Sequence, residues 1–213
     1  MSDNHVIFGG FSVSTVDFPY VSGVTVGIKA KDTVILASEK LFSYSYFVFS
    51  KNVRKTVSLK DNIGVAFAGF IGDMQILTNF LKAQISLIEL ESNHTISVKA
   101  AAKLLSRILF SRRYFPFLTQ TIIGGVDETG PHLYGLDIIG SLIPDDYIAI
   151  GPGAEVAIGI LENNYSKNMD ISTAVELALS SIKSATKRSV GTGGGIDILK
   201  ITKGKSEYQY IKL

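Results

Sequence analysis

From Val24 to Ile28 apolar and polar or small positions alternate residue by residue. Val24, Val26 and Ile28 alternate with Thr25 and Gly27, and after the polar Lys31-Asp32-Thr33 the chain resumes as Val34-Ile35-Leu36-Ala37-Ser38. A period of two carried by β-branched residues predicts strands over 23–30 and 34–38, closed by a short reversal into a half-buried hairpin. A Ser-, Tyr- and Phe-rich stretch follows from 42 to 49, and Ser50-Lys51-Asn52-Val53-Arg54-Lys55 leads into a second pair of strands. These run over 56–59 and 63–68 around the turn Lys60-Asp61-Asn62, and with the first hairpin they outline one sheet.

From Asp73 the period lengthens to that of a helix. Met74, Leu77, Leu81, Ile85 and Ile88 share one stripe, and Asp73 stands where the helix dipole favours an anion. A second helix has Thr95 or Ser97 as its cap, Val98, Ala101, Leu105 and Ile108 as its stripe, and Arg112-Arg113 as its stop. Strands resume over 118–126 and 132–137 around Asp127-Glu128-Thr129-Gly130, and a short strand over 147–150 runs into Gly151-Pro152-Gly153. A helix over 154–163 precedes another in which Thr173 and Glu176 have capping-box spacing. That last helix presents Val175, Ala178, Leu179 and Ile182, is broken by the glycines at 191–195, and is followed by strands over 196–202 and 208–212. Grouped strands alternating with paired helices do not fit a parallel doubly wound sheet, so the pattern predicts a mixed α+β domain.

At 213 residues and 46% hydrophobic content the chain is long enough for one large domain with a sizeable core. A formal charge of +2 without blocks of like charge argues against nucleic acid or an anionic membrane as partner. No apolar run reaches the length of a signal core or a membrane span, which predicts a cytoplasmic protein. Residues 1–22, with Gly9-Gly10 and Asp17-Phe18-Pro19, read as a lead that is a strand, a flexible arm or a propeptide. Cysteine is absent, which excludes disulfides and cysteine-ligated metals. His5, His94 and His132 have no ligand-like spacing, and we expect neither a metal nor a cofactor.

Several of these segments resemble β subunits of the archaeal-type 20S proteasome. Val26-Gly27-Ile28, Lys31-Asp32 and the 34–37 return strand fall in register with the opening of the mature family chains. Ala68-Gly69-Phe70-Ile71-Gly72-Asp73, the run 96–102, Gly124-Gly125-Val126-Asp127, Gly130-Pro131-His132-Leu133-Tyr134 and Gly193-Gly194-Gly195-Ile196-Asp197 follow in the same order and spacing. The likeness extends from about 23 to 202. It implies a four-layer α-β-β-α sandwich, with residues 23–213 as one proteasome β-type domain behind a lead at 1–22.

The resemblance also implies where the chemistry would lie. In this family the threonine at the mature N-terminus supplies both the hydroxyl nucleophile and, through its α-amino group, the proton acceptor. That position falls on Gly23, which has no hydroxyl, and only Thr25 survives of the family's threonine run. The family's lysine, which lowers the pKa of the nucleophile, falls on Lys55, and its oxyanion N–H falls on Gly69. Its aspartate at the end of the return strand falls on Glu39, the serine of its Gly-Ser-Gly turn on Pro152, and its late aspartate and serine on Ser189 and Thr192. The resemblance thus implies a non-catalytic β subunit whose site positions are vestigial. Its expected partners are proteasome α subunits and an active β paralogue in stacked heptameric rings, with unfolded polypeptides as substrates of the complex.

Two other readings stand beside this one. Processing by another subunit would expose Ser22 or Thr25 as the nucleophile of an active threonine endopeptidase, although Thr25 lies about 7 Å further along the strand. Glu39-Lys40 also resembles the glutamate and lysine of the α-type outer-ring subunits.

Overall fold

The computed structural model describes residues 5–8, 11–14, 23–44 and 47–213. Two five-stranded antiparallel sheets face one another, each covered on its outer side by a pair of helices. The first sheet is built from β3 (Thr25–Lys29), β4 (Val34–Glu39), β12 (Tyr147–Ile150), β13 (Ile196–Thr202) and β14 (Lys205–Ile211), in the order β12-β3-β4-β13-β14. The second comprises β7 (Thr56–Lys60), β8 (Ile63–Gly69), β9 (Thr119–Asp127), β10 (Gly130–Leu136) and β11 (Leu142–Pro144), in the order β11-β10-β9-β8-β7. Two separate hairpins complete the strands. β1 (His5–Phe8) pairs with β2 (Phe11–Ser14), and β5 (Phe42–Tyr44) pairs with β6 (Phe47–Ser50).

The helices α1 (Ile71–Ser92) and α2 (Val98–Ser111) pack on the second sheet. Their counterparts α3 (Ala154–Asn164) and α4 (Ile171–Thr186) pack on the first. Three apolar layers result. One lies between α3–α4 and the first sheet around Val26, Ile28 and Ile182, and one between α1–α2 and the second sheet around Leu77, Leu81 and Leu105. The third lies between the sheets around Leu36, Ile122, Leu133 and Leu199. This is the α-β-β-α sandwich.

The two early hairpins belong to different sheets and do not share one. β4 pairs outward with β13 while β8 pairs with β9, so the chain crosses from one layer to the other between Lys40 and Lys55. A hairpin's residues specify their mutual register but not the sheet they join, and that was settled by long-range pairing. β3 is likewise buried on both faces, because Thr25 and Gly27 point into the inter-sheet layer and not to water.

The cap of α2 is Ser97, whose side chain accepts from the Ala100 N–H, and the fully buried residue of its last turn is Leu109, with Ile108 only half-buried. α4 begins three residues earlier than its capping-box spacing suggests: Asp170 is the cap and accepts from the Thr173 N–H at 2.7 Å. The helix ends at Thr186, five residues before Gly191. β11 was not legible from its three residues. Part of the lead, 5–8 and 11–14, forms a hairpin, whereas Ser22 and the rest of 15–22 lie outside the described residues.

Candidate active site

The end of β4, the residue just ahead of β7, Gly23 two residues ahead of β3 and the glycine-rich turn before β13 meet at one point. Lys55 and Glu39 form a fully buried ion pair there, with Lys55 Nζ donating to Glu39 Oε1 and, at 2.6 Å, to the Leu41 carbonyl. Glu39 Oε2 accepts from the Leu41 N–H at 2.6 Å and from the Gly193 N–H at 3.0 Å. Both carboxylate oxygens and the ammonium therefore have partners, which is the condition for keeping charges inside a protein. Burial pulls the Lys55 pKa below its ordinary value, against the opposing attraction of Glu39.

Gly23 sits directly over this pair. A Cβ built there would lie 3.2 Å from Glu39 Oε1 and 3.3 Å from Lys55 Nζ, and its backbone has φ +136°, a conformation that side chains disfavour. Its carbonyl accepts from the Gly153 N–H at 3.3 Å, and Gly151 allows the close approach because a Cβ there would stand 2.6 Å from that carbonyl. Nearby, two hydroxyl contacts cross between the sheets. Thr25 Oγ1 donates to the Phe67 carbonyl at 2.7 Å, and Ser38 Oγ lies 2.8 Å from Thr56 Oγ1. Thr25 is fully buried and its hydroxyl is bonded to β8 of the second sheet.

The remaining predicted positions are spread around this point. Gly69 ends β8 at φ +152°, where a Cβ would meet the Leu118 carbonyl at 2.4 Å. Together with Phe70, Gln120, Ile138, Gly151 and Pro152 it lines a mostly apolar cleft of about 430 Å³. Pro152 is exposed at the rim of that cleft and carries neither hydroxyl nor N–H. Thr192 turns back on its own loop, its hydroxyl donating to the Ser189 carbonyl at 2.8 Å. What reaches the ion pair from this loop is the Gly193 N–H, and from the other side the Leu41 backbone. Those two backbone contacts were not found from sequence, since main-chain donors leave no residue-type signal beyond the glycine run.

Beside Glu39, Lys40 pairs with Asp197 at 2.8 Å, also buried, and stands 5.3 Å from the Tyr210 ring centre. His132 contacts Thr129 at 2.6 Å on the far turn of β9–β10, and exposed His94 follows α1. Among the described residues no cluster of His, Cys, Asp and Glu is placed to hold a metal, and no helix is long and apolar enough to cross a membrane.

A lysine buried at the mouth of a four-layer sandwich, facing the residue that opens the first sheet, is the arrangement of the N-terminal-nucleophile hydrolase class. Residues 21–201 match the family described as Proteasome subunit, and the chain belongs to that family. It is 46% identical over 181 residues to proteasome subunit beta 2 of Thermofilum pendens, covering 85% of this chain and 89% of that one. Proteasome subunit beta 2 of Caldivirga maquilingensis is also 46% identical, covering 85% and 91%. Proteasome subunit beta 1 of Staphylothermus marinus is 39% identical across 97% of this chain and 95% of its own. These relatives place the chain among the β-type subunits and not with the α-type subunits that Glu39-Lys40 also resembles.

Proposed function

We propose that this chain is a non-catalytic β-type subunit of the 20S core particle, structural in the β ring and shaping the substrate pocket of an active neighbour during cytoplasmic protein degradation. One observation carries the reading. The residue matched to the nucleophile is a glycine in a backbone conformation suited to glycine, pressed against a buried ion pair. Without a hydroxyl at 23 the chain has no means of cutting its own lead. Residues 1–22 therefore stay attached, and 23–213 form the β-type domain. Its partners are α subunits and an active β paralogue, and the exposed apolar residues Ile76, Phe80, Leu87 and Leu90 of α1 are the kind of surface that assembly covers, Leu90 being 82% exposed.

A fluorogenic peptide assay with N-terminal sequencing tests this. The chain alone, and the chain with its α subunits, are expected to show no turnover, which appears only when the active paralogue is added. Turnover by particles lacking that paralogue, with a mature end at Gly23, Val24 or Thr25, would overturn the reading. Thr25 as an alternative nucleophile is disfavoured by its complete burial.

A further inference from the structure

We propose that Glu39 is a lock of the vestigial site: its carboxylate lies in the space that a side chain at position 23 requires and, together with the φ of +136° there, keeps that position glycine. This rests on the reading of Gly23 as the vacated nucleophile position, and it adds that the vacancy has been built over by a neighbouring residue.

Contacts of 3.2 and 3.3 Å are tighter than a methyl group normally tolerates, so a side chain at 23 fits only if Glu39 or Lys55 gives way. Neither is free to move. Glu39 Oε1 is held by Lys55, Glu39 Oε2 is held by the N–H groups of Leu41 and Gly193, and Lys55 is held in turn by the Leu41 carbonyl. All of this lies out of water, where shifting one member leaves a charge or an N–H without a partner. A glutamate reaches this position only because it is one methylene longer than aspartate. The shorter acid would draw its carboxylate back from the Gly23 Cβ position and release the volume.

A double-mutant cycle on the full chain, read by thermal unfolding, tests the lock. Gly23→Ala is expected to lower the Tm by roughly 4 °C or more for a chain of this size. In the Glu39→Asp background that loss should shrink measurably, the remainder being the backbone strain at φ +136° and the Lys55 contact, which this change leaves in place. Glu39→Gln, which keeps the length and removes only the charge, should leave it in place. A loss at 23 that is equal in the native and Glu39→Asp backgrounds, or one relieved equally by Glu39→Gln, overturns the proposal.

A second measurement needs no change at Glu39. Gly23→Ala should speed hydrogen exchange at the Leu41 and Gly193 amides by about tenfold, because their acceptor is displaced; unchanged protection would overturn the lock. Peptide turnover by the native chain would instead overturn the non-catalytic reading and leave the measured coupling standing.

Discussion

Lys55 is completely buried, yet it is held for its charge, and the consequences of removing it follow from Glu39. Lys55→Met leaves a buried carboxylate with two N–H donors and no counter-ion, which should cost about 3–5 kcal/mol in a urea titration. A loss below about 1 kcal/mol would mean that Glu39 is not confined by the pair. The pH dependence has a definite sign. Burial lowers the folded-state pKa of Lys55 below 10.5, so between that lowered value and 10.5 the unfolded chain holds a proton that the folded chain lacks. Stability from this group accordingly rises with pH across that window. Titrations at stepped alkaline pH should show a shallower rise in Lys55→Met, and an identical slope in both proteins would contradict the assignment. In the sequence Lys55 is one basic residue among several in a polar stretch, and its burial depends on the crossing of the chain between layers.

Elements meet in this fold through close approach at glycines. A Cβ at Gly64 of β8 would stand 2.6 Å from Leu199 and 2.7 Å from Ile201 of β13, in the opposite sheet. Gly27 of β3 does the same toward Ile122 and Leu133. The inter-sheet layer is therefore thin at these points, and one added methyl group has to push two packed strands apart. Gly64→Ala should destabilise the chain by about 1–3 kcal/mol, the usual range for overpacking. A neutral result in denaturant unfolding would show that the sheets separate easily. Asp73 works at the same scale: its carboxylate accepts from the Leu118 N–H at 2.7 Å and so ties the first turn of α1 to the entry of β9. The helix-dipole argument places an acid there, but not this second attachment.

For the whole molecule, the test of the ring assignment is incorporation. Mixing the chain with its α subunits and an active β paralogue should yield a particle that contains all three, with this chain in the inner rings. Its intact mass within the particle should include residues before Gly23. A chain that stays apart while the other two assemble, or that is found only in outer rings, would refute the β-ring role. Heterologous ring contacts require each subunit to match two neighbours, so selection can keep the body of such a chain after its chemistry has gone.

The chain's own pattern determined its strands and helices wherever the signal was local. The first hairpin, the stripes of α1 and α2, the 147–150 strand and the 196–202 strand all follow from periodicity and turn residues, because neighbouring positions carry that information. The glycine at 23 was legible as well, since the absence of a side chain there is a fact about one residue, and the proposal of a non-catalytic subunit starts from it. Tertiary structure alone decided which sheet each hairpin joins, that Asp170 and not Thr173 caps α4, and that Leu41 and Gly193 hold the Glu39–Lys55 pair against Gly23. These depend on contacts between residues as far as 167 positions apart, and on backbone donors that every residue except proline shares.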